Sequence, residues 1–161
     1  MDVLKRSDKV AFYGVPTAEG KYTYHRMKGF TSFSTSKNAK EYSRQYVDEV
    51  FEQTDVVGYT PSISFNFDKA RDNAVHDDIV SIYNEEKIGA DAVRPIIIVD
   101  LSGEETTAIC RDFAVIAENE GDSTDAYTYS GTFKAKGDTV SGTAASEDGW
   151  LTCTFSESLG E

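Results

Sequence analysis

The sequence predicts a mainly β protein, an antiparallel β-sandwich or barrel of about eight strands with one α-helix packed on it. Two observations lead to this fold class. Short segments in which apolar and polar residues alternate recur along the chain, separated by Gly, Pro, Asn and Asp, as in half-buried strands and their turns. One stretch, at about residues 73–88, has the wider spacing of an amphipathic helix. With 161 residues and no change of composition along the chain, we expect a single domain over residues 1–161.

The first part of the chain contains three strand-like segments, at residues 10–14, 22–33 and 42–48. Pro16 and Gly20 provide turn residues between the first two, and Lys37 and Asn38 interrupt the chain after the second. In the third segment, helix and strand patterns compete. Its aromatic and β-branched content with a period of two favours a strand.

A strand and the helix follow each other closely in the middle of the chain. Residues 63–67 alternate between apolar and polar side chains, which gives a strand one apolar face. The apolar residues of the helix fall on one stripe that must be buried, formed by Val75, Ile79, Ile82 and Tyr83. We expect Asp72 or Asn73 to cap the first turn and Gly89 to lie just past the end.

The second half of the chain supplies the remaining strands. A run of branched apolar residues at 94–101 indicates a central strand, with Pro95 at its start where a missing amide does least harm. Further alternating segments lie at residues 106–118, 127–135, 139–143 and 150–155. Because only Gly137 and Asp138 separate two of them, the sequence predicts a β-hairpin there.

Composition limits the compartment and the partners of the chain. No apolar run approaches the roughly 20 residues that span a bilayer, and the first residues have no apolar core of a secretory signal, so we expect a cytosolic protein. Cys110 and Cys153 are then expected to be small buried thiols rather than a disulfide. The formal net charge of −12 argues against binding nucleic acid through its phosphates.

The sequence carries no recognisable catalytic or cofactor motif. It has no phosphate-binding glycine loop, no CxxC pair and no HExxH motif. His76, Asp77 and Asp78 form the one cluster that suggests a metal, but consecutive helical residues point to different sides and do not converge on one ion. We interpret the two aspartates as a solvated face. No enzyme activity, metal or cofactor is expected.

Two groups of residues suggest contacts with other molecules. The segment from Glu49 to Tyr59 is predicted to be an exposed connection with more apolar surface than loops usually leave uncovered, so it either folds back on its own core or is covered by a partner. Its candidate contact residues are Glu49, Val50, Phe51, Asp55, Val56, Val57 and Tyr59. Four scattered arginines are candidates for ion pairs within the subunit or across an interface, Arg44, Arg71, Arg94 and Arg111.

The order of the segments resembles that of the major tail tube proteins of long-tailed, siphovirus-like phages and prophages of Gram-positive bacteria. The resemblance is carried by EYSRQYVDE, TDVVGYTPSISFNFD, AVHDDIVSIYNEEKIG, VRPIIIVDL, RDFAVIAENEGDSTDAYTYSGTFKAKGDTVSG and WLTCTF. It covers most of the chain. Its weight lies in the ordered series rather than in any single motif.

The resemblance implies a tail-tube-like β-sandwich with a flanking helix, six copies of which close into a ring. Rings would stack into a tube through which the genome leaves the capsid, without sequence-specific binding of DNA and without a membrane. It also implies a virion protein made in the host bacterial cytoplasm, with tape measure, distal tail and tail terminator proteins as further partners. The long loop that reaches a neighbouring subunit or ring in such proteins corresponds here to Glu49 through Tyr59.

The charge of the chain agrees with such a channel. Six copies carry a formal charge of −72, six times the −12 of one subunit. Acidic residues that face the channel would repel DNA phosphates within a Debye length of about 8 Å.

Other functions remain open at this point. A carbohydrate- or protein-binding β-sandwich would keep its tyrosines exposed in a groove, and a hydrolase would need carboxylates that converge in a pocket. The inner tube of a contractile tail or secretion machine is a related structural alternative.

Overall fold

The computed structural model describes residues 3–18, 20–121 and 124–157. Within these ranges the chain forms one α-helix, α1 (Ala74–Asn84), and two short 3-10 helices, Arg6–Asp8 and Gly89–Ala92. The strands are β1 (Lys9–Pro16), β2 (Tyr22–Arg26), β3 (Phe30–Ser36), β4 (Ala39–Arg44), β5 (Gln53–Tyr59), β6 (Ser62–Asp68), β7 (Val93–Asp100), β8 (Thr107–Glu120), β9 (Thr128–Ala135), β10 (Val140–Ala145) and β11 (Thr152–Glu157).

The mainly β fold class with one packed helix is confirmed, but the described residues form eleven strands rather than about eight. The segment predicted as one strand at 22–33 is two, because Gly29 has a φ of +78° that no regular strand residue adopts. The segment predicted as a connection, Glu49 to Tyr59, contains β5.

Six strands close into an antiparallel barrel in the order β1, β7, β8, β10, β11 and β2. The long strand β8 makes the closure possible, because one of its edges pairs first with β10 and then with β9. Strands β9, β6 and β3 extend from the second half of β8 as a sheet. The result is a barrel and a curved sheet that share β8.

The hairpin predicted at Gly137 and Asp138 is wrong. Strands β9 and β10 do not pair with each other but with successive stretches of β8, Ala135 lying opposite Phe113 and Val140 opposite Cys110. The chain keeps its direction through this connection. A hairpin would leave the first half of the β8 edge unpaired, whereas continuation pairs both halves and closes the barrel.

Two hydrophobic cores lie on opposite faces of the shared strands. The barrel encloses Val10, Phe12, Ile97, Val99, Ala108, Ala144 and Cys153. The other core lies between the curved sheet, β1, β7 and α1, and contains Tyr13, Ile63, Phe65, Phe67, Val75, Ile79, Ile82, Ala92, Ile96, Phe113, Val115, Tyr129 and Phe133. Adjacent residues such as Phe12 and Tyr13 therefore belong to different cores, as the two-residue period of a strand requires.

Helix α1 begins as predicted and ends earlier than predicted. The Asn73 side chain accepts hydrogen bonds from the amides of Val75 and His76, at 3.1 and 3.2 Å. The helix ends at Asn84, and the left-handed residue past its end is Glu86, with a φ of +50°, rather than Gly89. The Lys87 amide donates to the Ile82 carbonyl at 3.1 Å, which satisfies one of the last carbonyls and completes a Schellman-type ending.

Two further expectations concern membranes and thiols. In the part of the chain that the structure describes, no helix is both long enough and apolar enough to cross a bilayer. Cys110 and Cys153 are free, and Cys153 is buried while Cys110 is half-buried. The prediction of a buried thiol holds for Cys153, whereas Cys110 is only partly buried.

Candidate assembly surface

A two-stranded hairpin projects from the molecule, and we call it the arm (residues 39–59). Its strands β4 and β5 pair with each other and belong to neither the barrel nor the curved sheet. The arm continues the β3–β6 ladder after an interruption at Lys37 and Asn38, where Asn38 has a φ of +48°. The Asn38 side chain fixes this base, since its Nδ2 donates to the Thr60 carbonyl at 2.9 Å and to the Ser62 hydroxyl at 3.1 Å.

The arm brings together all seven residues that the sequence marked as contact candidates. They are Glu49, Val50, Phe51, Asp55, Val56, Val57 and Tyr59, and all except the half-buried Glu49 are exposed. Val50 and Phe51 expose 84% and 81% of their surface. The alternative that this segment folds back on its own core is therefore wrong. An isolated two-stranded hairpin is at best marginally stable in water. The exposed apolar surface of the arm therefore indicates that another molecule covers it.

The tip of the arm (residues 45–52) is a structured turn rather than a loose loop. The Glu49 amide donates to the Tyr46 carbonyl at 3.0 Å, and the Gln53 side chain donates to the Glu49 carboxylate at 2.8 Å. The sequence analysis missed Val47, which is fully exposed at this tip. It was missed because residues 42–48 were predicted to be all strand, whereas β4 ends at Arg44.

The four candidate arginines are scattered, and among the ion pairs found in the described residues Arg94 is the one of the four that takes part. The Arg94 Nε donates to Asp78 at 2.9 Å inside the subunit. Arg44 instead lies over the Tyr42 and Tyr46 rings, with its guanidinium carbon 5.0 and 5.8 Å from their centroids.

Arg71 is exposed and Arg111 is half-buried. The Nε of Arg111 is buried and makes no hydrogen bond within the described residues. An unpaired buried donor of this kind costs free energy. For Arg44, Arg71 and Arg111, an ion pair across an interface between subunits remains a prediction.

The cluster His76, Asp77 and Asp78 does not form a site. His76 is buried, with its ring stacked 4.2 Å from that of Phe67, Asp77 pairs with Lys69 at 2.8 Å, and Asp78 pairs with Arg94. The prediction of a solvated face is wrong for Asp78, because the helix turns it toward the buried guanidinium. Among the described residues, no group of three His, Cys, Asp or Glu side chains could hold a metal.

A basic groove lies at the base of the arm and was not predicted. We define it by the cations Arg6, Lys9 and Lys37 around the apolar residues Phe33, Ile98 and Ile109. Its volume is about 360 Å³, near the lower end of the roughly 300 to 1,000 Å³ of small-molecule sites. The groove residues come from four separate segments, so no local pattern in the sequence could reveal it.

The curved sheet ends at β3, which within the described ranges pairs on one side, with β6. Such an end strand offers unpaired amides and carbonyls to another strand. The face of this sheet turned away from the core carries small polar residues in its middle rows, with Lys134 opposite Ser62 at one end and Asp68 opposite Thr128 at the other. Cross-strand rows join Ser34, Ser64 and Thr132, and next to them Ser32, Asn66 and Ser130.

No protein-family model matches the sequence, and no curated protein is similar to it. Eleven chains of solved structures are similar in fold. One comes from the tail of an empty GTA particle refined helically with C6 symmetry, with a TM-score of 0.57 and 11% identity over 85% of this chain and 97% of that chain. Another comes from the six-fold symmetrised anti-feeding prophage (AFP) baseplate, with a TM-score of 0.48 and 10% identity over 88% and 97%. The first likeness shows that this chain has the fold of a tail protein.

Proposed function

We propose that this protein is the structural subunit of a phage-type tail tube, a non-enzymatic protein whose principal partner is itself. The observation that carries the proposal is the arm, a structured hairpin whose apolar residues are exposed and not covered by any described residue of its own subunit. The fold shared with a tail protein from a C6-symmetric particle supports six copies in a ring. Tape measure, distal tail and tail terminator proteins are further partners under this proposal, and the virion is its location.

Ring closure requires heterologous contacts, in which two different surfaces of each subunit meet. The free edge of β3 and the arm are two such surfaces on one molecule. Each contact should bury well over the roughly 1,000 Å² that separates specific interfaces from accidental ones.

Pairing through the β3 edge also identifies the face of the sheet that would line the channel of the ring. If the free β3 edge extends the sheet into the next subunit, the face of Ser32, Ser34 and Ser64 becomes continuous around the ring. This face presents hydroxyl groups, and the net charge of −12 per subunit repels DNA phosphates, so DNA passes without binding. Replacing Ser34 and Ser64 by lysine should slow DNA ejection and make the tube retain DNA. Unchanged ejection would place the channel elsewhere.

A negative charge at Phe51, the most exposed aromatic residue of the arm, tests whether the arm is needed for assembly. Phe51→Asp should leave a folded subunit that no longer forms rings or tubes in negative-stain electron microscopy. Ile88→Asp is the matched control, because Ile88 is 82% exposed but lies outside the arm, and it should assemble normally. Tubes of normal length from Phe51→Asp would refute the role of the arm, whereas a wild-type protein that stays monomeric would favour a binding module.

A further inference from the structure

We propose that the tip of the arm docks into the basic groove of a second copy of this chain. The inference rests on the proposed function and deepens it, since it names the surface that receives the arm. The two surfaces match in the two properties that decide such a contact, apolar area and charge.

The tip presents apolar side chains among carboxylates. Val47, Val50 and Phe51 are exposed there, and Asp48, Glu49 and Glu52 are its charged residues. No lysine or arginine lies within residues 45–52. A partner must therefore offer an apolar floor with a positive rim.

The groove offers that combination. Its floor includes Phe33, Ile98 and Ile109, and Ile109 is 50% exposed although it lies in a central strand. Its rim carries Arg6, Lys9 and Lys37, which form no ion pair with any carboxylate in the described ranges. In a chain of net charge −12, three cations that form no ion pair lie around one apolar groove and concentrate positive charge there.

Two acidic residues lie next to the groove, and neither forms an ion pair with its cations in the described ranges. Asp100 lies opposite Lys9 in the β1–β7 ladder, so Lys9 is the cation whose charge is most offset. Asp8 accepts a hydrogen bond from the Lys5 amide at 2.7 Å, and Asp100 accepts one from the Ser102 amide at 2.9 Å. The Arg6 guanidinium lies 5.9 Å above the Phe33 ring and donates to the Lys9 carbonyl at 3.2 Å, so its charge is held over the groove.

The tip and the groove of one subunit do not meet. Lys37 lies at the base of the arm, and the six residues of β4 carry the tip about 20 Å away at roughly 3.3 Å per residue. The contact must therefore join two subunits, tip of one to groove of the next. Such a head-to-tail contact is heterologous and repeats from copy to copy, as a ring or a stack requires.

Charge reversal tests the contact. The tip variant D48K/E52K and the groove variant R6E/K37E should each raise the protein concentration at which tubes form by about tenfold or more, because like charges then face each other. The chain that carries all four substitutions should recover tube formation, because its reversed tip meets a reversed groove. The variant K21E/K136E changes charge by the same amount as R6E/K37E at exposed sites outside the groove, and should assemble like the wild type.

Cysteine cross-linking provides a second readout that does not depend on blocking assembly. With Val50→Cys at the tip and Thr35→Cys beside the groove in one chain, oxidation should give a ladder of covalent oligomers, whereas either substitution alone should give dimers at most. Failure of the wild type to form rings would refute the proposed function. Normal tubes from R6E/K37E, no recovery in the fourfold variant, or no ladder from tubes that do form would refute this contact alone.

Discussion

Arg94 of β7 and Asp78 of α1 form an ion pair inside the subunit, with the Arg94 Nε 2.9 Å from the Asp78 Oδ2. The Tyr13 hydroxyl donates to the same carboxylate oxygen, and the guanidinium also donates to the carbonyls of Asp91 and Val93 at 2.9 and 2.8 Å. Burial, and then the negative charge of Asp78, hold the pKa of Tyr13 well above its usual value. The pair thus fastens the helix to β1 and β7.

Removal of Asp78 should strongly destabilise the unassembled subunit. Asp78→Ala leaves the buried guanidinium without its counter-charge, and we expect the free energy of unfolding to fall by about 3 to 5 kcal/mol. The neighbouring variant Asp77→Ala is the control. It removes a pair in which the aspartate is exposed, and should cost at most about 1 kcal/mol. Urea denaturation of both variants measures the difference, and equal losses would contradict a structural role for the Arg94 pair.

His76 should make the stability of the subunit depend on pH. Its Nδ1 accepts from the Ala70 amide at 3.1 Å and its Nε2 donates to the Lys28 carbonyl at 2.8 Å, so the folded protein holds a neutral ring. Burial lowers the pKa of His76 below its ordinary value of 6.5. The unfolded chain therefore binds a proton at a higher pH than the folded chain does. Stability should be full above pH 6.5 and should decrease as the pH falls through 6.5 toward the lowered pKa.

Urea denaturation at a series of pH values between 7.5 and about 5.5 would show this decrease as a falling midpoint. His76→Gln should be less stable at pH 7.5 but should lose much of the dependence on pH. If the variant and the wild type show the same slope, His76 is not the group responsible.

Gly131 permits the close approach of β9 to β8. A Cβ atom at this position would lie 2.1 Å from the Ile116 carbonyl oxygen, next to the irregular pairing at Ala117. Gly131→Ala should therefore cost more than about 2 kcal/mol of stability. Gly103→Ala is the control, because its nearest neighbour would be the Glu105 carbonyl oxygen at 3.6 Å, and it should change stability by less than about 0.5 kcal/mol. Thermal or urea unfolding that ranks the two variants equally would contradict this account.

The two thiols should react slowly in the folded protein. Burial raises the pKa of Cys110 to about 11 and that of Cys153 to about 12. At pH 8 only about one Cys110 in a thousand would carry the reactive thiolate. We expect both thiols to react with a disulfide reagent quickly in urea and slowly in buffer. Fast, complete labelling of the folded subunit would show that these strands open readily.

Much of the fold could be predicted because strand and helix periods are local properties. The alternation at residues 63–67 and the apolar stripe of α1 both predicted the buried face that the structure contains. The connection at Gly137 could not be predicted, because a two-residue link is compatible with a hairpin and with a chain that continues. The choice depends on the unpaired edge of β8, which lies about 30 residues away in the chain.

The candidate assembly surface was likewise predicted in part: the arm was predicted and the groove was not. The sequence marked Phe51 and Val56 as candidates because they add apolar surface to a short segment predicted to be an exposed connection, and the structure places both on the arm. The groove was missed because Arg6, Lys37 and Ile109 come from distant segments that only the folded chain brings together.

The most direct test of the account is negative-stain electron microscopy of the purified wild-type protein, with light scattering on the same sample at low and high concentration. The account predicts hollow rings or tubes with six-fold end views, and a scattering mass that grows with concentration. A monodisperse monomer at every concentration, also after seeding with preformed tail ends, would contradict it.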